Sequence, residues 1–188
     1  MKKVFIYIIF PVYVLSSVSC MSTKNDSVKM ARDSNRTKVS IEQRYDAEFA
    51  VCIADAGMLE AQLADLAHQN ATTSAAKELA NIMDREHGKE HNELKVLAAR
   101  KNITLPDKLS NRSQKAYDCV AKKNGEMFDK AYIRCTKKAS KQELRKFKEE
   151  AKRGKEPEVK AWAAANVSSI KTQIIETKGA CKKMKDGK

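Results

Sequence analysis

The chain has 188 residues, with 37 lysines and arginines against 24 aspartates and glutamates, a net charge of +13 and 6% aromatic residues. That length suits one domain, and abundant Ala, Lys and Glu with only 6 glycines and 3 prolines favour helices over sheets. The lysines are dispersed rather than interleaved with aromatics, so a basic, solvated surface is expected and no nucleic-acid partner.

Met1-Lys2-Lys3 is a basic start, Val4 to Leu15 an apolar run interrupted by Pro11, and Ser16-Ser17-Val18-Ser19 a small-residue stretch before Cys20. This reads as a secretory signal over residues 1–19, too short and wrongly flanked for a transmembrane helix. A small residue followed by Cys resembles the lipobox of bacterial lipoproteins; Val18 and Ser19 fit it, while Ser17 stands where Leu is preferred. The resemblance implies a lipidated Cys20 as first residue of the mature chain, anchored in the cell envelope, at the outer membrane of a Gram-negative bacterium. Plain secretion with cleavage nearby is the alternative. Losing Lys2 and Lys3 leaves 35 bases against 24 acids, a net +11, which gives anionic envelope lipids, or another envelope protein, as further partners.

Residues 21–40 (MSTKNDSVKMARDSNRTKVS) hold almost nothing to bury and read as disordered, so residues 20–45 form a polar tether, of which about twenty residues reach roughly 25 Å on average. From Asp46, a candidate N-cap, the pattern turns helical. The first helix carries Phe49, Ile53, Ala56, Leu63 and Ala67 on one face and ends near His68 to Ala71. Thr73 caps a second helix whose stripe is Ala76, Leu79, Ala80, Met83, Leu94, Leu97 and Ala98, and Asn102 to Pro106 stops it. A short helix over 113–122 is broken by Asn124-Gly125. A third long helix from about Met127 to Lys152 turns Phe128, Tyr132, Cys135, Ala139 and Phe147 inward, with Gly154 as C-terminal cap. Pro157 opens the fourth, which carries Val159, Trp162, Ala163, Val167, Ile170 and Ile174 and ends at Gly179. Four long amphipathic helices with short connections predict an all-α, antiparallel up-down four-helix bundle over 46–184, with the short helix between helices two and three and a basic tail over 185–188. No helix is apolar all round, so none is a membrane span.

Polar residues that interrupt an apolar stripe are the candidates for chemistry. Glu60 interrupts the first stripe and His87 the second, with His91 one turn after His87 and Asp84 one turn before. Imidazole and carboxylate facing each other suit iron, zinc or manganese; a plain core pair that fixes helix register needs no metal. Glu86 and Glu90 are expected to point outward. No nucleophile–base pair and no glycine-rich phosphate loop appears, and the histidines are only His68, His87 and His91.

The segments DAEFAVCIADAGMLEAQLADLA, EHGKEHNELKVLAARKNITLP, FDKAYIRCTKKASKQELRKFKEEAKRGKEPEVKAWAA and SSIKTQI resemble the exported family catalogued as domain of unknown function 4142, described as ferritin-like. The resemblance spans Asp46 to about Lys178. It implies an inward Glu at Glu60 and an Asp-His pair at Glu86-His87, of which the His matches. It also implies histidines at the positions of Ser140 and Gln173, where this chain departs. A di-iron site would need glutamates and Glu-x-x-His spacing on helices three and four, and helix four has no histidine. No cofactor is therefore expected, with a single iron, zinc or manganese ion at Glu60, His87, His91 and Asp84 as the alternative.

Beyond Cys20 stand Cys52, Cys119, Cys135 and Cys181. An even count in an exported chain predicts disulfides. The up-down order would bring all four thiols to one end, pairing Cys52 with Cys181 and Cys119 with Cys135. A zinc site on the four thiolates lacks paired CxxC spacing. The leading reading is a membrane-tethered, non-enzymatic structural or interaction module; the alternative is a ferritin-like metal-binding or redox protein using Glu60 and His87.

Overall fold

The computed structural model describes residues 26–186. The signal segment, Cys20 and the last two residues of the basic tail lie outside the described residues. Among the described residues the chain is all-helical: α1 (Ser27–Lys38), α2 (Arg44–Asn70), α3 (Ser74–Arg100), α4 (Asn111–Ala121), α5 (Gly125–Arg153) and α6 (Pro157–Lys185), with no strand. None of these helices is long and apolar enough to cross a membrane.

Helix α1 lies where a disordered tether is expected. Asp26 caps it by accepting from Lys29 N at 3.0 Å, which satisfies an otherwise orphaned donor. Val28 and Ala31 pack on the fully buried Val51 of α2. Polar side chains supply the rest of the attachment. Ser27 Oγ donates to Asp107 at 2.6 Å, Asn35 exchanges hydrogen bonds with the backbone of Thr104 at 2.9 and 2.7 Å, and Arg32 pairs with Glu48. A composition poor in apolar residues predicts disorder because it cannot form a core of its own. Here two small apolar residues and two buried polar ones suffice, because the helix docks on a core already built.

The four long helices share one core. Helix α2 packs against α3 and α5, and α6 packs against α5 and α3. Two buried aspartates show which ends meet. Asp129, at the start of α5, accepts from Thr72 N at 3.1 Å, Thr72 Oγ1 at 2.8 Å and Thr73 N at 2.7 Å, in the α2–α3 turn. Asp46, in the first turn of α2, accepts from Lys155 N at 2.8 Å and Glu156 N at 3.2 Å, in the α5–α6 turn. Each turn of one hairpin is thus closed by a carboxylate from the other, so turn donors that no helix can satisfy are paired. The expected up-down order changes as a result. Residues 101–124, with α4, return the chain to the α2–α3 end, so α5 runs parallel to α3 instead of antiparallel to it.

Local expectations shift for the same reasons. Thr73 does cap α3, accepting from Ala76 N at 3.3 Å. Asp46 does not cap α2, which starts after Gln43, because its carboxylate serves the α5–α6 turn. Helix α6 continues through Gly179 to Lys185, held by buried Ala180 and half-buried Cys181 and Met184. Gly154 follows α5, and a Cβ there would come within 2.3 Å of Glu150 Oε1 and 2.8 Å of the Glu150 carbonyl oxygen; its glycine answers to space.

Two apolar clusters fill the core. One holds Phe49, Phe147 and the half-buried Trp162, with ring centroids 5.1 to 6.1 Å apart, and Ile53, Leu94 and Ile170. The other holds Leu63, Leu79, Met83 and the stacked Phe128 and Tyr132. Every long helix passes from one cluster to the other across polar residues. These are Glu60 on α2, His87 and Glu90 on α3, Thr136, Ser140 and Glu143 on α5, and Gln173 and Thr177 on α6, all buried.

Candidate metal centre

The polar layer follows from helical phase. On α3 the buried positions Met83, His87, Glu90 and Leu94 are spaced four, three and four apart, one continuous face of an α-helix. On α5 the buried Tyr132, Thr136, Ser140, Glu143 and Phe147 repeat the same steps. Glu60 sits between Leu59 and Leu63 on α2. Three helices thereby deliver carboxylates and an imidazole to one place. One ligand atom each of Glu60, His87 and Glu143 lies within 4.8 Å of the others, with side-chain accessibilities near zero.

Little in the layer is paired. His87 Nε2 and Glu60 Oε2 lie 3.2 Å apart without hydrogen-bond alignment, and both ring nitrogens of His87 lack a partner. The carboxyl oxygens of Glu143 have no aligned hydrogen-bond partner among the described residues, although the Glu90 carboxyl lies against them, and the amide oxygen of Gln173 has none either. The Ser140 hydroxyl is 3.2 Å from Glu60 Oε1 and 3.0 Å from the Thr136 carbonyl oxygen, so its single proton serves one acceptor at a time. Buried polar atoms are nearly always paired in native proteins, and an unpaired one costs about 1–3 kcal/mol.

Burial also sets the protonation states. Desolvation pushes the Glu60 carboxyl up to about 8, against a smaller lowering by the Ser140 hydroxyl. Burial raises Glu143 well above the carboxylate range, with the charges of Glu60 and Glu90 adding to it. Glu90 rises to about 7, again chiefly through burial. Burial lowers His87, opposed by Glu90 and Glu86. Near neutral pH the metal-free layer therefore holds protonated Glu60 and Glu143 and a Glu90 close to its midpoint around a neutral imidazole, a low-charge state that a dry interior favours.

The structure sorts the expected ligands. Glu60 and His87 come together, and Ser140 joins them. Asp84 is exposed and His91 half-buried on α3, outside the group of close ligand atoms; His91 instead borders a small cavity of about 10 Å³ with Gly57, His87 and Glu90. Asp84 lies three residues from His87, but at that phase its side chain faces solvent. Glu90 points inward, against expectation, and Glu86 accepts from Ser169 Oγ at 3.2 Å on α6. Glu143 escaped the sequence reading altogether. The signal was present, since Glu143 falls four before Phe147 and three after Ser140 on the buried face of α5.

No disulfide is found among the described residues. Cys52, Cys119, Cys135 and Cys181 are all free thiols. Cys52 sits beside Glu48 and Arg32 near α1, whereas Cys181 packs in the cluster at the α2–α3 end, where Thr73 Oγ1 contacts Met184 and Lys183 pairs with Glu78. The crossover through α4 separates these two cysteines by the length of the helices. Cys119 and Cys135 are near neighbours: the Cys135 thiol is pushed up by burial first, then by the charge of Glu60 and by Cys119.

No curated protein and no solved structure matches the chain. Residues 30–178 match the family described as domain of unknown function 4142. That match covers α2 to α5 whole and most of α1 and α6, so it includes every residue of the polar layer. The chain belongs to the family of domain of unknown function 4142.

Proposed function

We propose that this domain binds one divalent transition-metal ion, held by Glu60, His87 and Glu143 inside a ferritin-like arrangement of its four long helices. The supporting observation is the convergence of three buried ligand atoms within 4.8 Å whose neighbouring oxygens and nitrogens lack hydrogen-bond partners. Charge is consistent with this reading. Two ionised glutamates and a neutral imidazole balance a divalent ion, and the mixed nitrogen–oxygen set suits manganese, iron or zinc. Glu90 remains beside them as a further carboxyl, and Gln173 contributes an amide oxygen from the fourth helix. The absence of histidines at Ser140 and Gln173 leaves a carboxylate-rich site and argues for a single ion.

Metal analysis of the full chain purified without an affinity tag tests this. One equivalent of manganese, iron or zinc is expected, lost in Glu60→Gln/His87→Ala and in Glu143→Ala. A metal-free chain that takes up none of the three ions on titration overturns the reading.

The second part of the proposal is location. Val18-Ser19-Cys20 supports lipidation of Cys20, which would tether the domain to the envelope membrane as the leading sequence reading has it, with two or more acyl chains needed for stable anchoring. Cys20→Ala is expected to move the protein to the soluble fraction; unchanged membrane association would refute tethering.

A further inference from the structure

A pocket of about 450 Å³ opens between α1, α2, α4 and α5, within the size range of small-molecule sites. Its apolar wall comes from Val28, Ile53, Ala56, Leu59, Ala116 and Ala139. Glu143, 2% exposed and with neither oxygen in an aligned hydrogen bond, lines it as well, so the pocket touches the polar layer from the side between α2 and α5. Five basic residues also line it, Arg32, Arg112, Lys138, Arg145 and Lys146, together with Asp26, Asp55 and the thiols of Cys52 and Cys135.

The charges do not cancel. Arg32 is held by Glu48, and Arg145 by Glu149 at 3.1 Å. Asp55 accepts from Ser110 N, Ser110 Oγ and Ser113 Oγ at 2.7, 2.8 and 2.7 Å. Asp26 accepts from Lys29 N and Asn111 N at 3.0 and 2.8 Å. Both aspartates accept from neutral helix-start donors and keep their charge, so the five bases of the lining face two aspartates. Arg112, Lys138 and Lys146 have no ion pair among the described residues; Lys146 is half-buried, with Glu48 and Cys52 as its charged and thiol neighbours. A half-enclosed pocket with unpaired cations at its rim and hydrocarbon along its wall repels a hydrated metal ion and attracts an anion.

We propose that this pocket binds a small organic anion, its charged group held by Lys138, Lys146 and Arg112 and its apolar body lying against Ile53, Ala56, Leu59 and Ala139. The proposal stands whether or not the neighbouring layer holds a metal. It gives the domain a ligand class, carboxylates or phosphate esters carrying a short hydrocarbon body, next to the buried Glu143.

Calorimetric titration of the full, metal-free chain with octanoate, hexyl phosphate and inorganic phosphate tests it. Octanoate or hexyl phosphate is expected to bind saturably at one site, the tighter of the two identifying the preferred head group, with inorganic phosphate clearly weaker. Lys138→Glu/Lys146→Glu should weaken binding by roughly tenfold or more, as loss of charge-assisted contacts predicts, while thermal melting reports that the variant is folded. Ala139→Trp, which fills the wall without touching charge, should weaken it too. Glu60→Gln/His87→Ala should bind the organic anion as the native chain does, so a failed metal reading leaves this result intact. No saturable binding, unchanged affinity in the double lysine variant, or inorganic phosphate binding as tightly as hexyl phosphate would overturn the proposal.

Discussion

At the residue scale, the buried glutamates make stability depend on pH in a direction opposite to that of most carboxylates. Glu60 and Glu150 are pushed up to about 8 and Glu90 to about 7, each chiefly by burial. The folded state then holds protons that the unfolded state has already released above its ordinary carboxylate range near 4.5. Linkage makes such a contribution complete below the unfolded value and lost as pH rises through the folded one. His87, lowered by burial, acts oppositely, and only as pH falls below about 6.5. The metal-free chain is therefore expected to lose stability between about pH 5 and pH 8. A loss of about 1 kcal/mol already lowers the midpoint of a domain this size by roughly 2–4 °C. Glu60→Gln should flatten the profile, and bound metal should reverse it, because uptake expels the same protons. A midpoint that rises steadily from pH 5 to pH 8 without metal would contradict this. Glu60 and His87 were legible as single polar breaks in apolar stripes. Glu90 and Glu143 were not, because a charged residue on a Lys- and Glu-rich helix reads as solvent-facing unless its phase is counted against buried neighbours.

At the scale of elements, the long helices follow from apolar periodicity, while their turns depend on residues far away in the chain. Asp129 is fully buried and closes the α2–α3 turn some 56 residues from Thr73. Asp129→Ala would remove the acceptor of the Thr72 and Thr73 amides at a turn that is only partly buried, a loss of about 1–2 kcal/mol for hydrogen bonds to a carboxylate. Chemical denaturation should show that loss with an unchanged slope; a variant within about 0.5 kcal/mol of the native chain, the range of neutral surface changes, would show that the turn closes by other means. Asp46 illustrates why such roles are hidden. Its place before an apolar run is that of an N-cap, and only the approach of the α5–α6 turn turns its carboxylate elsewhere. Helix α1 is the converse case, a segment with too little apolar content to predict as ordered that is fixed by Ser27 and Asn35 reaching the 104–107 strap.

At the scale of the whole molecule, the crossover through residues 101–124 decides both the thiols and the reach of the chain. Cys52, Cys119, Cys135 and Cys181 are expected to titrate as four free thiols in denaturant. In the native chain the exposed Cys119 should react first and the half-buried Cys52 and Cys135, raised by burial, more slowly. A mass spectrum showing Cys52 joined to Cys181 would refute the chain path. On the proposal that Cys20 is lipidated, the docking of α1 would leave six peptide steps between the anchor and Asp26, a span of at most about 21 Å.

Helix content and the approximate long-helix spans were set by the sequence itself, because a 3.6-residue apolar period is a local property that needs no partner to be read. The same holds for Thr73 as a cap, Pro157 as a helix start, and Glu60 and His87 as inward residues. Tertiary structure alone decided which helix ends meet, since an order of helices fits several paths until a crossover selects one. It also decided that Glu143 completes the group with Glu60 and His87, that Glu90 lies among them, and that α1 is ordered. Each of these depends on a contact between residues distant in the chain: periodicity can turn Glu90 and Glu143 inward, but it does not say which side chains they meet there.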